Sequence, residues 1–526
     1  MPSASLGSSS PAVTGTMLSS VANLLNTLIG AGICAMPYAM KYTGLLPGIG
    51  LIVLCSFTSA SGLYLLTRCA AKVGGRGTSF FSVARKTIPS GARWFDLAIA
   101  LKCYGVSISY LIIGGQLMPQ VMISFFKAFG KDPHEIPGSF LNRDLWILIF
   151  MVFLTPLCFL RRLDSLRHTS YVSFIAVVYL VIIVVFYGLM DHAKAHLPPR
   201  GDVDLIKIDG HLVSIFPIFV FAFTCAQNMF PVYNELANNS ESRVNAIIVT
   251  SIGTAAVIYE IVAVLGYISF GSNIGSNIIA MYPATSVFVC GGRIAIVLLT
   301  LCCYPLQIHP CRASFDKVFS KARGERIVLP SDPVDALYED WGHEGDSHRE
   351  GDEEDTQVLL DDDTGARRPE GKADAIHDIP LRRWCILTGL ILSTTFTISL
   401  FIDDLSIVLG FVGSIGSTTI SFILPGVLYA VLHQHEPEQR RMRRFAQALA
   451  VWGALVLVFT FTANVLKVLR AAPGTMSQGH GDRLAALLAA HESHVSAAAA
   501  ASSVASALAS SATAAASAYS TTSAAL

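Results

Sequence analysis

The sequence predicts an all-α membrane protein of eleven transmembrane helices. Ten of them form two inverted repeats of five, with the first and sixth helices broken, and the eleventh is added at the end. Three observations predict this fold. Asp, Glu, Lys and Arg make up only 14% of the 526 residues, while 52% are hydrophobic. A soluble protein carries nearer ~25% charge, so most of this chain must face lipid. Apolar runs long enough to cross a bilayer recur eleven times. Two of those runs, at corresponding places in two halves, carry residues that interrupt a helix.

A spanning helix needs ~20 mostly apolar residues, because the hydrocarbon core is ~30 Å thick. The runs are 17–40, 45–69, 95–126, 145–160, 171–190, 212–232, 245–270, 287–308, 384–401, 405–432 and 445–466. The third is long enough to be tilted or to extend past the bilayer. Residues 17–312 therefore hold eight helices and residues 381–470 the last three. The remaining segments are polar or of low complexity. Residues 1–16 are rich in Ser, Pro and Ala, uncharged, and unlike a cleavable signal peptide. They are expected to be a disordered cytoplasmic N-terminus. Residues 313–380 form a polar loop with 14 acids and one base between Asp332 and Asp363, expected to be cytoplasmic and mostly disordered. Residues 471–526 read as an Ala/Ser-rich low-complexity tail.

Lys and Arg set the expected orientation, since cytoplasmic connections carry them in excess. Thirteen lie in the connections on one side, among them Lys72, Arg161 and Arg440, against seven on the other. The N-terminus is thus expected in the cytoplasm, and eleven spans put the C-terminus in a lumen or outside the cell. The sequon Asn238-Asn239-Ser240 falls on the cytoplasmic side and should carry no glycan. The 11 cysteines lie in or beside apolar runs without metal-ligand spacing and read as small apolar packers. No metal, cofactor or nucleic-acid partner is expected. No P-loop, HExxH or GxSxG occurs, and no span holds two carboxylates. An enzyme is therefore not expected.

The interruptions carry the functional signal. The first run contains Gly30-Ala31-Gly32 and then Pro37. The sixth contains Pro217, then Thr224-Cys225-Ala226-Gln227-Asn228, then Pro231. Gln and Asn are costly in lipid, and freed backbone groups must line a cavity or be buried in protein. Interrupted helices at matching places in two halves point to a transporter binding site. An unwound segment exposes N–H groups at a half-helix N-terminus, which favour an anion such as a carboxylate. Glycine permits close approach. The sixth span offers carbonyls, Thr224 and Gln227 to an ammonium. An α-amino acid carries both groups. The plainer alternative is tight helix packing through small residues. Two charges also fall within the spans, Lys102 in the third and Glu260 in the seventh, and each needs a partner or water. Glu260 reads as a proton carrier or as half of a structural pair. Lys102, near the cytoplasmic end, is expected to snorkel. Arg293 and His309 read as interfacial.

Four segments, in order, resemble the amino acid/auxin permease family. NLLNTLIGAGICAMPYAMKYTG (23–44) resembles its first span and FPIFVFAFTCAQNMFPVYNEL (216–236) its sixth. YPLQIHPCR (304–312) and GFVGSIGSTTISFILPG (410–426) resemble its eighth and tenth. Within the family, the run FDLAIALKCYGVSISYLIIGGQLMPQV (95–121) points to the fungal vacuolar amino acid exporters. The resemblance implies a leucine-transporter-type five-plus-five inverted repeat and amino acid transport by alternating access, driven by an ion gradient. It places Gly30, Ala31 and Gly32 at the substrate-contacting break, with Thr224, Cys225 and Gln227 as their counterparts in the sixth span. Asn26 matches an asparagine of the ion site in sodium-coupled relatives. The hydroxyl expected in the eighth span is nearest at Thr300, but Leu301, Cys302 and Cys303 follow it. That departure favours a proton over sodium as the coupling ion. Asp355, Leu359 and Leu360 resemble an acidic dileucine signal for sorting adaptors, or belong to a solvated acidic linker. The expected function is proton-coupled movement of neutral amino acids from an acidic vacuole or lysosome to the cytosol. Neutral substrates are the default because no cationic pair or carboxylate cluster stands ready for a charged side chain. A sodium- or proton-coupled plasma-membrane importer and a non-transporting amino acid sensor are the alternatives.

Overall fold

The structure, a computed structural model, describes residues 15–74, 78–88, 91–130, 136–160, 169–207, 209–322 and 379–471. Those residues form helices and turns, and the one β-type contact among them is an isolated bridge between Gly15 and Leu236. Residues as far as Asn464 make one compact unit. A second begins at Val465, of which the structure describes the end of a helix. The acidic dileucine sequence and most of the acidic loop and Ala/Ser tail lie outside the described residues.

Nine helices among the described residues are long and apolar enough to cross a membrane. A bent pair, Met17–Leu28 and Ala31–Thr43, adds a tenth crossing, its halves meeting at 53°. The fourth expected span is helical over Arg143–Phe159, but at 17 residues it is shorter than the rest. The count of eleven thus remains an expectation. Large apolar side chains such as Phe57, Phe153, Phe174, Val249 and Phe459 are exposed along these helices, as a lipid-facing surface requires.

Local chemistry sets the helix ends. Thr16 caps the first helix in a reciprocal box with Ser19, Asn142 caps Arg143–Phe159 through the Asp144 amide, and Asp404 caps the tenth span through Ser406. Gly44, at φ +76°, turns the chain from the first span into the second. A Cβ there would stand 2.7 Å from the Lys207 amide nitrogen, so the turn needs glycine. The eighth span runs from Val287 to Ala322, ten residues into the segment read as loop, and Ser314 and Asp316 in that extension are buried. The tenth span is not a simple α-helix. Between Leu405–Val412 and Leu424–Leu432 it winds as π-helix, over Gly413–Ser417 and Thr419–Ile423.

Packing follows a two-fold pattern. The third and eighth spans lie side by side as the most extensive pairing. The third also packs on the tenth, and the eighth on the fifth. The first packs on the seventh, and the sixth on the second. The third meets the fourth and ninth, and the eighth meets the ninth and fourth. Exchanging the two halves maps each of these pairings onto another, as two five-helix repeats require. The first and sixth spans pair with each other at the centre.

Two corrections concern charge. Arg293, read as interfacial, is fully buried and donates to the carbonyls of Tyr282 at 2.5 Å and of Ile279 and Pro283 at 3.4 Å. It closes the connection between the seventh and eighth spans, whose carbonyls no helix satisfies. Lys102 does not snorkel: it is 4% exposed and points inward.

Candidate functional site

Both expected breaks are present. The first helix ends at Leu28 and the chain resumes as helix at Ala31, with Gly30 as an N-cap that supplies no side chain. In the sixth span, helix Leu212–Ala222 stops, residues 226–228 form a 3-10 turn, and helix resumes over Met229–Glu235. The two breaks meet at a small, partly open cavity of about 20 Å³. Gly30, Ala31, Gly32 and Thr224 line it, together with Thr27, Lys102, Tyr110 and Gln307 from the first, third and eighth spans. That volume suits about one water molecule. It is far below the ~300 Å³ of a typical small-molecule pocket, so a larger ligand requires the helices to move apart.

The carbonyls freed by the breaks are satisfied by side chains from elsewhere. Tyr259 of the seventh span is fully buried, and its hydroxyl lies 2.5 Å from the Leu28 carbonyl and 3.0 Å from that of Ala222. One phenol thus ties the end of the first half-helix to the end of its counterpart. Ser59 of the second span donates to the Phe223 carbonyl at 2.6 Å. Thr224 donates to Val220 at 2.8 Å and accepts from Ser421 at 3.4 Å. Asn228 joins the breaks again, donating to Thr27 at 2.5 Å. The first turn of Ala31–Thr43 has no side-chain cap, and its Ala31 and Gly32 line the cavity, an arrangement able to receive an anion.

The glycines act differently. A Cβ on Gly32 would stand 3.0 Å from both the Cα and the Cβ of Ala222, so Gly32 lets the first and sixth spans touch. A Cβ on Gly30 would meet only the Tyr110 hydroxyl, at 3.7 Å, so Gly30 keeps the cavity open. Gly413 and Gly416 in the π-helical stretch serve close packing too. A Cβ on Gly413 would strike the Pro217 carbonyl oxygen, and one on Gly416 would come 2.6 Å from the Lys102 Cβ.

The other expected site residues are more dispersed. Cys225 is fully buried in the sixth break. Gln227 lies in the 3-10 turn, with a buried Oε1 that has no partner among the described residues and no place in the cavity lining. Asn26 precedes Thr27 in the first half-helix. Thr300 is buried, and its hydroxyl donates to Val297 of its own helix at 2.8 Å. Glu260 lies outside the cavity lining, and neither carboxylate oxygen has a hydrogen-bond partner among the described residues. Sequence reasoning passed over Tyr259, Tyr110 and Gln307 as site residues, although each is a polar group within an apolar run.

Ion pairs lie at both ends of the spans. At the end bearing the third-to-fourth and ninth-to-tenth connections, Arg143 pairs with Asp403 and donates to the carbonyls of Ser399 at 2.5 Å and Ile402 at 2.9 Å. Gln116 donates to the Asp403 carbonyl at 2.7 Å and accepts from Asn277 at 3.1 Å. At the other end Arg68 pairs with Glu241 and Lys72 with Glu436. The hydrogen bond from Lys72 holds the Glu436 carboxyl below its ordinary range. Its contribution is therefore full above the unfolded carboxylate value and is lost only as pH falls through the lowered one. The Glu436 carboxylate therefore stays charged near neutrality. Arg143 is 11% exposed in its side chain and Asp403 24%, against 30% and 53% for Arg68 and Glu241. Arg143→Ala should therefore cost about 3–5 kcal/mol, whereas Arg68→Ala should cost about 0–1 kcal/mol. Melting temperatures of the two purified variants, side by side, check this ordering.

Residues 13–468 match the sequence profile of the family described as "Transmembrane amino acid transporter protein". The chain is 39% identical over 463 residues to "Vacuolar amino acid transporter 5" of Schizosaccharomyces pombe, covering 86% of this chain and 94% of that one. It is 34% identical over 467 residues to "Vacuolar amino acid transporter 6" of Saccharomyces cerevisiae, covering 85% and 98%. Among solved structures, the crystal structure of MhsT in complex with L-phenylalanine aligns at 12% identity and a TM-score of 0.47, over 86% of this chain and 97% of that one.

Proposed function

Because this chain belongs to the transmembrane amino acid transporter family, we propose that it moves neutral amino acids from an acidic vacuole or lysosome to the cytosol, coupled to protons, by alternating access. The observation that carries the reading is the meeting of two broken helices at one small polar cavity. An α-carboxylate fits the uncapped turn at Gly30–Gly32, and an α-ammonium fits the hydroxyl and carbonyls around Thr224. The cavity lining holds no Asp or Glu among the described residues, which disfavours a basic side chain. Leu301, Cys302 and Cys303 follow Thr300 and bring no second hydroxyl to it, which supports a proton over sodium. The relatives named vacuolar transporters support the organelle. In that membrane the Arg143–Asp403 end faces the lumen and the Arg68–Glu241 end the cytosol. Asn26, Thr300 and Glu260 then fall to secondary roles in coupling, and the acidic dileucine sequence serves sorting.

The test is flux of radiolabelled amino acids in liposomes holding the purified full chain. A proton gradient and a sodium gradient are each imposed alone. Uptake of neutral amino acids driven by the proton gradient is expected. Sodium-driven uptake would return Asn26 and Thr300 to the ion site and favour a plasma-membrane importer. Binding without flux under either gradient would make the protein a sensor.

A further inference from the structure

Lys102 is the one charged side chain among the described residues that line the cavity. It stands ten residues inside helix Ala92–Ala128, about 15 Å along the axis from its start. It is 4% exposed and lines the space that Gly30, Ala31 and Thr224 also line. Gly416 presses against its backbone, so the side chain has no route outward past the tenth span. The described residues give Lys102 no carboxylate partner and no hydrogen bond. The titratable groups that face it are the thiols of Cys103 on its own helix and Cys225 in the sixth break, with the Tyr110 phenol on the cavity wall. The first, eighth and tenth spans present Thr27, Gln307 and Gly416, none of them ionisable. Glu260 belongs to neither set.

Holding a lone ammonium in such a place costs free energy that the neutral amine does not. A carboxylate arriving at the uncapped turn beside it reverses the balance, because ammonium and carboxylate together are a neutral pair. We propose that Lys102 binds the substrate's carboxylate and takes up the coupling proton with it. The step balances. On the lumenal side the Nζ lone pair takes a proton from water as the carboxylate enters. On the cytosolic side the carboxylate leaves, the N–H bond breaks to water, and the free amine returns. One proton crosses with each substrate, and the empty carrier returns uncharged at this position. The inference rests on the proton-coupled transport reading and places its coupling step at a residue that the expected site did not include.

The experiment is calorimetric binding of the twenty standard amino acids to the purified full chain near neutral pH, in two buffers of different protonation enthalpy. The buffer dependence of the heat counts protons taken up, and the wild type should take up about one per substrate bound. Lys102→Arg, which stays charged, should bind with no proton uptake. Lys102→Gln should bind more weakly, also without uptake, and in liposomes should exchange substrate down its gradient but fail to concentrate it with a proton gradient. Melting curves check that the variants fold. A wild-type count of zero overturns the proposal without any variant. Retained proton-driven accumulation in Lys102→Gln overturns it too, and its loss in Glu260→Gln instead would give the role to Glu260. If wild-type liposomes move none of the twenty amino acids under either gradient, the transport reading itself falls.

Discussion

Gly30→Leu should abolish amino acid flux while leaving a folded protein. The reason is the difference between the two cavity glycines. A Cβ at position 30 meets only the Tyr110 hydroxyl, at 3.7 Å, so the first carbon of a new side chain fits. The cavity itself is about 20 Å³, and the rest of a leucine side chain would fill it and press on Tyr110 and Thr224. Overpacking of this kind costs about 1–3 kcal/mol, which a protein of this size survives. The chemical loss is larger, because the side chain occupies the ground in front of the Ala31 and Gly32 amides where a carboxylate would sit. Gly30→Ala makes a graded comparison, with folding intact and flux reduced. Gly32→Ala should behave in the opposite way. Its Cβ would stand 3.0 Å from Ala222, so it parts the first and sixth spans and lowers stability first. Flux and melting temperature measured on the three variants separate blocked space from lost packing. Wild-type flux in Gly30→Leu would remove this cavity from the transport path.

Tyr259→Phe should be nearly as damaging for a different reason. The substitution keeps the ring, which sits edge-on to Phe223 with centroids 5.2 Å apart, and removes only the hydroxyl. That hydroxyl serves the Leu28 and Ala222 carbonyls, one at each break. Leaving a buried acceptor without a partner costs about 1–3 kcal/mol. The cost falls on the closed arrangement of the two breaks. Since 1.4 kcal/mol is a tenfold change in an equilibrium, that arrangement should lose about tenfold in population or more. Tyr304→Phe is the control. Tyr304 is equally buried, and its hydroxyl bonds Thr395 at 2.8 Å, outside the cavity lining. Both variants should lose similar stability, but only Tyr259→Phe should lose most of its flux. Equal flux in the two would show that the phenol at the breaks is packing alone.

These residues also show what the sequence could reveal. The breaks were legible because Gly-Ala-Gly and Thr-Cys-Ala-Gln-Asn stand out against apolar runs, and bilayer physics leaves few uses for them. The groups that hold the breaks together were not. Tyr259 is an aromatic residue in an apolar helix, and the charge of Glu260 beside it is the louder signal. Only the fold shows that the phenol faces both half-helices, while the carboxylate lies outside the cavity lining. Lys102 was misplaced because linear position suggested an end of the third span, whereas the tenth span packs over its backbone. The π-helical turns at 413–423 were hidden as well. Glycine and serine there read as ordinary packing residues, and the change of helical register goes with a contact between Gly413 and Pro217, distant in sequence.

The clasp between Gly15 and the chain at Glu235–Ala237 has a mechanical consequence. The Gly15 amide donates to the Glu235 carbonyl and the Ala237 amide to that of Gly15, both at 3.1 Å. At their far ends the same two half-helices, Met17–Leu28 and Met229–Glu235, are joined by Asn228 and Thr27. Hydrogen bonds at both ends oppose independent swinging of the two half-helices. These contacts couple the two half-helices, so a swing of the first should carry the sixth with it. A probe attached to either would report the travel of both.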